Sequence, residues 1–172
     1  GIYNTYMVPL VKCNFKVMFR LLCEAIKSVY ASAFYADSKA YMKATANVID
    51  EEKMAIVIQE VCGSAFGYRY YPTISGVARS LNYYPIAPEK AEDGIANIGL
   101  GLGKHIVDGG MSLRFSPKYP KKILQTSTPA MALKETQKYF YALNLNFDEF
   151  KFESDDSCNL QKLRIKVAEE DG

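Results

Sequence analysis

Residues 17–34 carry apolar side chains at Met18, Leu21, Leu22, Ala25, Ile26, Val29, Tyr30 and Ala33. This i, i+3, i+4 spacing is that of an amphipathic helix. A second, shorter helical stretch over 38–46 follows a break near Asp37. The period then changes. Residues 54–62, Met-Ala-Ile-Val-Ile-Gln-Glu-Val-Cys, form a continuous apolar and β-branched run with a polar end, the pattern of a buried strand. Helix pattern comes first and strand pattern after it, with no βαβα alternation. That order argues against a doubly wound sheet. It predicts an α+β chain with a mostly antiparallel central sheet flanked by helices.

The rest of the chain fills in this outline. Gly1 to Tyr6 reads as strand-forming, and Gly63 and Gly67 punctuate the end of the apolar run. Residues 70–84 are rich in aromatic and β-branched types with a Ser75-Gly76 break, which predicts strands with a bend or bulge. Pro85, Pro88 and the charged residues 89–93 mark a loop. Met111 to Phe115 reads as a short strand and Ser116 to Pro120 as a turn. Thr128 is placed to N-cap a helix with Pro129 in its first turn. The spacing of Met131, Leu133, Phe140 and Leu143 predicts that this helix runs over 130–143. Residues 148–159 are polar and read as a loop.

Composition excludes several classes. Net charge is +2, with 21 basic and 19 acidic residues, which leaves no electrostatic case for nucleic acid or a charged membrane surface. No apolar run approaches the roughly 20 residues of a membrane span. The four cysteines, Cys13, Cys23, Cys62 and Cys158, form no C-x-x-C pair and read as reduced structural residues of a cytoplasmic protein. The single histidine, His105, has no partner at metal-ligand spacing. The tyrosines at 68, 70, 71, 83 and 84 read as sheet packing, and the acidic pairs Glu51-Glu52, Glu92-Asp93 and Asp155-Asp156 as solvated loop charges.

The run Gly99-Leu100-Gly101-Leu102-Gly103-Lys104-His105 fits neither standard phosphate motif. A P-loop needs G-x-x-x-x-G-K-(S/T); Ile98 stands at the first glycine and His105 at the hydroxyl. A dinucleotide fingerprint needs G-x-G-x-x-G; counted from Gly101 it reaches Ile106, and from Gly99 it reaches Lys104. Two readings stay open for these glycines: backbone amides facing a phosphate, or a close structural turn.

Four segments, in order, resemble the nucleotide-binding domain shared by phosphoenolpyruvate synthases and pyruvate phosphate dikinases. Gly1-Ile2-Tyr3-Asn4-Thr5 is similar to the end of that family's F-A-G-x-(Y/Q)-x-T segment. Met54 to Val61 is similar to its M-A-V-x-V-Q-x-M-V strand, and Ser75-Gly76-Val77-Ala78 to its S-G-V-(A/M)-F. Gly101-Leu102-Gly103-Lys104-His105-Ile106-Val107-Asp108-Gly109 is similar to its G-L-G-E-x-(V/I)-V-x-G. The resemblance implies an ATP-grasp-like fold, with a partial nucleotide-binding core over 1–115 and a helical extension and charged tail over 116–172. It implies that Gln59, Glu60, Val61 and Cys62 form the adenine hinge, with main-chain groups of Glu60 and Cys62 reading the base. It places Ser75, Gly76, Val77, Gly101, Gly103 and Lys104 near the phosphates. ATP with Mg2+ is the implied ligand of the whole enzyme. The other implied partners are a phosphohistidine carrier domain and a pyruvate-binding domain.

The sequence departs from the pattern at Lys104, where the family has glutamate. An ammonium cannot ligate a cation, although it can meet a phosphate as a point charge. The family's R-S-S-x-x-E-D segment, its magnesium-binding acidic strand and its G-G-x-x-(S/T)-H carrier motif are not evident. The chain therefore reads as a piece of a longer enzyme. Its expected behaviour alone is weak or no nucleotide binding and no phosphoryl transfer. A degenerate, non-catalytic nucleotide-binding domain and a protein-interaction module are the other readings.

Overall fold

Asn14 begins the first helix: its Oδ1 accepts from the Val17 N–H at 3.0 Å, satisfying one of the donors a helix start leaves open. In the computed structural model, which describes residues 4–9, 14–45, 53–146 and 159–171, helix α1 runs Phe15–Ser32 and α2 runs Ala36–Ala44. The helical period thus holds at both predicted places. The inward stripe of α1 buries Leu21, Ala25 and Ser32. The Ser32 carbonyl accepts from Ser38 Oγ at 2.7 Å, tying α2 to α1, and Met42 of α2 is buried.

The chain divides into two units, Gly1–Val61 with Leu143–Leu160, and Cys62–Ala142 with Gln161–Gly172. The first holds α1 and α2. There the Asn144 N–H donates to the Asn159 carbonyl at 2.8 Å, and Asn159 Nδ2 to the Met7 carbonyl at 3.5 Å.

The second unit is built mainly from strands. In chain order these are β1 Ser64–Phe66, β2 Arg69–Tyr71, β3 Ser75–Arg79, β4 Ile95–Gly99, β5 Leu113–Phe115, β6 Tyr139–Asn144 and β7 Leu160–Arg164. Helices α3 Lys104–Val107, α4 Pro129–Glu135 and α5 Ile165–Asp171 complete it. The strands form two sheets, β1-β2-β6-β7 and β3-β4-β5. The β1–β2, β3–β4 and β4–β5 pairs are antiparallel. The α+β class and the antiparallel pairing agree with the sequence expectation; the single central sheet does not, because the β-rich region splits into two.

Two further expectations change. Residues 54–62 form no strand, and Val57 and Ile58 are 78% and 63% exposed. A β-branched run encodes a preference for extended backbone, but a strand also needs a neighbour to pair with. The predicted helix over 130–143 stops at Glu135, and Tyr139–Asn144 is a strand. Its start is as expected: Thr128 Oγ1 accepts from the Met131 N–H at 3.2 Å, with Pro129 in the first turn. Tyr139-Phe140-Tyr141 is then a β-favouring run, and Phe140 and Ala142 both turn fully inward. The expected strand at residues 1–6 and the loop at 148–159 fall largely outside the described residues; Asn4 to Tyr6 are not in a strand.

The core of the second unit joins Tyr71, Phe140 and Ala142, with Phe66, Leu100, Leu163, Ile165, Val167 and Ala168 packed around them. The Tyr71 ring lies 4.7 Å from Phe66 and 4.8 Å from Phe140 by centroids. Helix α5 contributes one polar contact to this apolar cluster. Asp171 Oδ2 accepts from the Tyr71 hydroxyl at 2.9 Å, while its Oδ1 pairs with Arg69. Burial, followed by the Asp171 hydrogen bond and charge, pushes the Tyr71 phenol up from about 10 to about 12.

Because the folded state holds this proton more tightly than the unfolded chain, the associated stability is complete below pH 10 and is lost as pH rises towards about 12. Tyr71→Phe is therefore expected to flatten the alkaline loss of stability over that interval, by at most about 2 kcal/mol. Urea titrations of both proteins across the same pH range check this.

Candidate functional site

The register of β3 on β4 brings two of the sequence-predicted segments together. Ser75 pairs with Gly99, Gly76 with Ile98 and Val77 with Asn97. The glycine run leaves β4 immediately beyond this pairing. Gly76 is required here: a Cβ would lie 2.6 Å from the Asn97 carbonyl oxygen. Ser75 Oγ is buried and has no hydrogen-bond partner among the described residues. Gln59, Glu60 and Val61 belong to the first unit, with Gln59 and Glu60 exposed and Val61 half-buried; Cys62, an exposed free thiol, opens the second.

The glycine turn itself is tied down by its own chain. The Leu100 N–H donates to Gln137 Oε1 at 2.8 Å. The Gly101 N–H donates to the Pro72 carbonyl at 3.1 Å and the Leu102 N–H to the Tyr141 carbonyl at 2.8 Å. Gly101 has φ +85°, and a Cβ there would meet Phe140 Cβ and the Tyr141 oxygen, each at 2.8 Å. Three amides that could have faced a phosphate are thus used for packing. Gly103 differs: its φ is −58°, and nothing lies within 4 Å of where a Cβ would stand. Its N–H has no acceptor among the described residues.

Lys104 opens α3, and its Nζ lies 3.4 Å from Asp108 Oδ2 one turn on. His105 is structural: its Nε2–H donates to the Met111 carbonyl at 2.8 Å, and its own carbonyl accepts the Gly110 N–H at 2.8 Å. Among the described residues no group of three His, Cys, Asp or Glu could hold a metal ion. Nor is any described helix long and apolar enough to cross a membrane.

Several organising residues carried no sequence signal. Asn82, 1% exposed, anchors the loop between β3 and β4. Its Nδ2 donates to Glu89 at 3.0 Å, and its Oδ1 accepts from the Tyr84 N–H at 3.1 Å and from Arg114 at 3.3 Å. Polar residues in a loop look alike in sequence whether they face water or hold the loop together. For the same reason the expectation of a solvated Asp93 fails. Its side chain is 3% exposed and lies 2.7 Å from Lys118 Nζ. That hydrogen bond, with one from the Lys90 N–H, holds the carboxyl below its usual range. Of the clustered tyrosines only Tyr71 is fully packed; Tyr68, Tyr83 and Tyr84 sit in a turn or in the 80–94 loop and are exposed. An open groove of about 200 Å³ passes Ile74, Ile98, Gly99, Leu100, Leu113 and Gln137, so the start of the glycine run lines it, while Gly101, Gly103 and Lys104 do not.

The family model for the pyruvate phosphate dikinase AMP/ATP-binding domain matches residues 1–162. The chain belongs to this family. No curated protein and no solved structure matches it. The dikinase match extends beyond Phe115 through α4 and β6, so the strand that packs against the glycine turn is part of the family's domain.

The two family glycines at 101 and 103 should separate cleanly. Gly101→Ala forces a side chain into a left-handed backbone position and into Phe140, at an expected cost of about 2–4 kcal/mol. Gly103→Ala should stay within about 0.5 kcal/mol of the parent. Chemical denaturation of both variants measures the difference.

Proposed function

We propose that this chain supplies AMP/ATP binding to a dikinase-like phosphotransferase of the cytoplasm. In the whole enzyme the γ- or β-phosphoryl group would pass to a carrier histidine on another domain and then to pyruvate. The observation that carries this reading is the family match over residues 1–162. The pairing of Ser75–Val77 beside the start of the glycine run supports it. In this reading Gln59 to Cys62 read the base, with main-chain groups of Glu60 and Cys62 as the donor–acceptor pair. Ser75, Gly76, Val77, Gly101, Gly103 and Lys104 lie along the phosphates.

The groups present suit a phosphate better than a metal. Ser75 offers an unpartnered hydroxyl, Gly103 an amide, and Lys104 an ammonium. Mg2+ would then arrive with the nucleotide. Lys104 replaces the family's carboxylate and is already partnered by Asp108, and three amides of the turn are committed to protein acceptors. These features favour a second reading as well, a non-catalytic nucleotide-binding domain.

Under the first reading the chain alone binds Mg-ATP and AMP weakly and transfers no phosphoryl group. Calorimetry should find dissociation constants well above roughly 10 μM. Lys104→Ala should weaken Mg-ATP by about three- to tenfold and AMP by less, because a point charge acts most on the more highly charged ligand. Micromolar affinity would show a more complete site. No binding at millimolar concentrations would remove the nucleotide reading for this chain.

A further inference from the structure

Gln137 makes three hydrogen bonds with one amide group. Its Oε1 accepts from the Leu100 N–H at 2.8 Å; its Nε2 donates to the Leu100 carbonyl at 2.9 Å and to the Tyr139 carbonyl at 2.8 Å. The first two engage both main-chain groups of a single residue, as a paired neighbour does across a sheet. The third fixes the amide to the first residue of β6. Leu100 lies just past the end of β4, where the sheet ladder has stopped. Its backbone would otherwise be half-buried with no partner, at a cost of roughly 1–3 kcal/mol per group.

The neighbouring residues are arranged around this amide. Gly99 leaves room for it: a Cβ there would stand 2.8 Å from Gln137 Oε1. The next two amides, Gly101 and Leu102, bond to Pro72 and Tyr141, so the turn is held from both sides. It emerges with Gly103 turned to open space and Lys104 at the start of α3. Gln137 lies 37 residues from Leu100 in sequence, outside every family motif quoted above.

We propose that Gln137 is the positioning residue of this site: its amide serves as a one-residue strand that sets the glycine turn in the shape that presents Gly103 and Lys104 to a nucleotide phosphate. The inference rests on the nucleotide reading above and names the residue on which the geometry of that site depends. Gln137 touches no phosphate and acts through Leu100. Glutamate at this position could still accept the Leu100 N–H but could donate to neither carbonyl. Methionine is close in length and makes neither kind of bond.

The test uses this chain with Gln137→Met and, from the other side of the same contact, Gly99→Ala. Two readouts are taken by NMR: hydrogen exchange of the Leu100 amide, and titration of the Gly103 and Lys104 amide shifts with Mg-ATP to millimolar concentration. The expected result is exchange at Leu100 faster by roughly tenfold, slow exchange retained at Phe140 and Ala142, and nucleotide affinity lowered by about three- to tenfold in whichever variant folds. Unchanged exchange at Leu100 overturns the proposal, as does faster exchange with unchanged affinity, which makes Gln137 structural only. If both variants unfold, Gln137 is a folding residue and the proposal fails. If the parent chain gives no shift with Mg-ATP, the nucleotide reading fails and the positioning role with it. Leu100 exchange then still shows whether Gln137 holds the turn, so the two failures are distinguishable.

Discussion

The main chain of the glycine turn lies directly against β6, and much of the second unit depends on that approach. Gly101 meets Phe140 with no side chain between them. Leu102 donates to the Tyr141 carbonyl. Phe140 also packs on Tyr71, and residues of β1, β2 and α5 join the same cluster. One strand therefore faces the apolar core and supports the candidate site. A close-packed interior transmits small volume changes, so a methyl group at Gly101 disturbs the core and the turn together. Gly103, only two residues on, is free of that constraint.

Charges in this unit are used in pairs. Asp171 is held by Arg69 and Tyr71, Asp93 by Lys118 and the Lys90 amide, and Lys104 by Asp108. The first two involve nearly buried carboxylates and fix the positions of α5 and of the 80–94 loop. In the third the carboxylate is half exposed, and an i, i+4 pair of this kind contributes little to stability. Asp93 and Asp171 cannot be withdrawn from their partners without leaving a buried charge.

Local signals in the sequence were read well where a single stretch of chain decides the outcome. The apolar period of α1 and the Thr128-Pro129 helix start each depend on near neighbours, whereas the bend expected at Ser75-Gly76 is not formed: Ser75–Arg79 is one strand in unbroken register with β4. The readings failed where a distant partner decides. Residues 54–62 have the composition of a buried strand, yet no described strand pairs with them. Leu133 and Phe140 fit one helical face on paper, but the aromatic run from Tyr139 finds a place in the sheet and the helix ends before it. At the site, the family resemblance placed Ser75–Val77 and the glycine run near one ligand, and the β3–β4 register sets Ser75–Val77 beside the start of that run. Asn82, Asp93 and Gln137 were not recognised, because a buried polar side chain is distinguished from a solvated one only by the partner it finds.

The glycine motif also bears on how family membership should be read. Its glycines have two possible reasons to exist: ligand approach and chain packing. Gly76 and Gly101 are each required by atoms of this chain, the Asn97 carbonyl for the first and Phe140 Cβ with the Tyr141 carbonyl for the second. They would be needed for folding in a chain that bound nothing. Lys104, by contrast, is a charged residue paired with Asp108. The backbone shape of the site and its chemistry are therefore physically separable. The first is enforced by β6 and Gln137, and the second rests on the Gly103 amide and on a Lys104 ammonium that pairs with Asp108. The glycine pattern is accordingly strong support for the local backbone shape and weak support for catalysis.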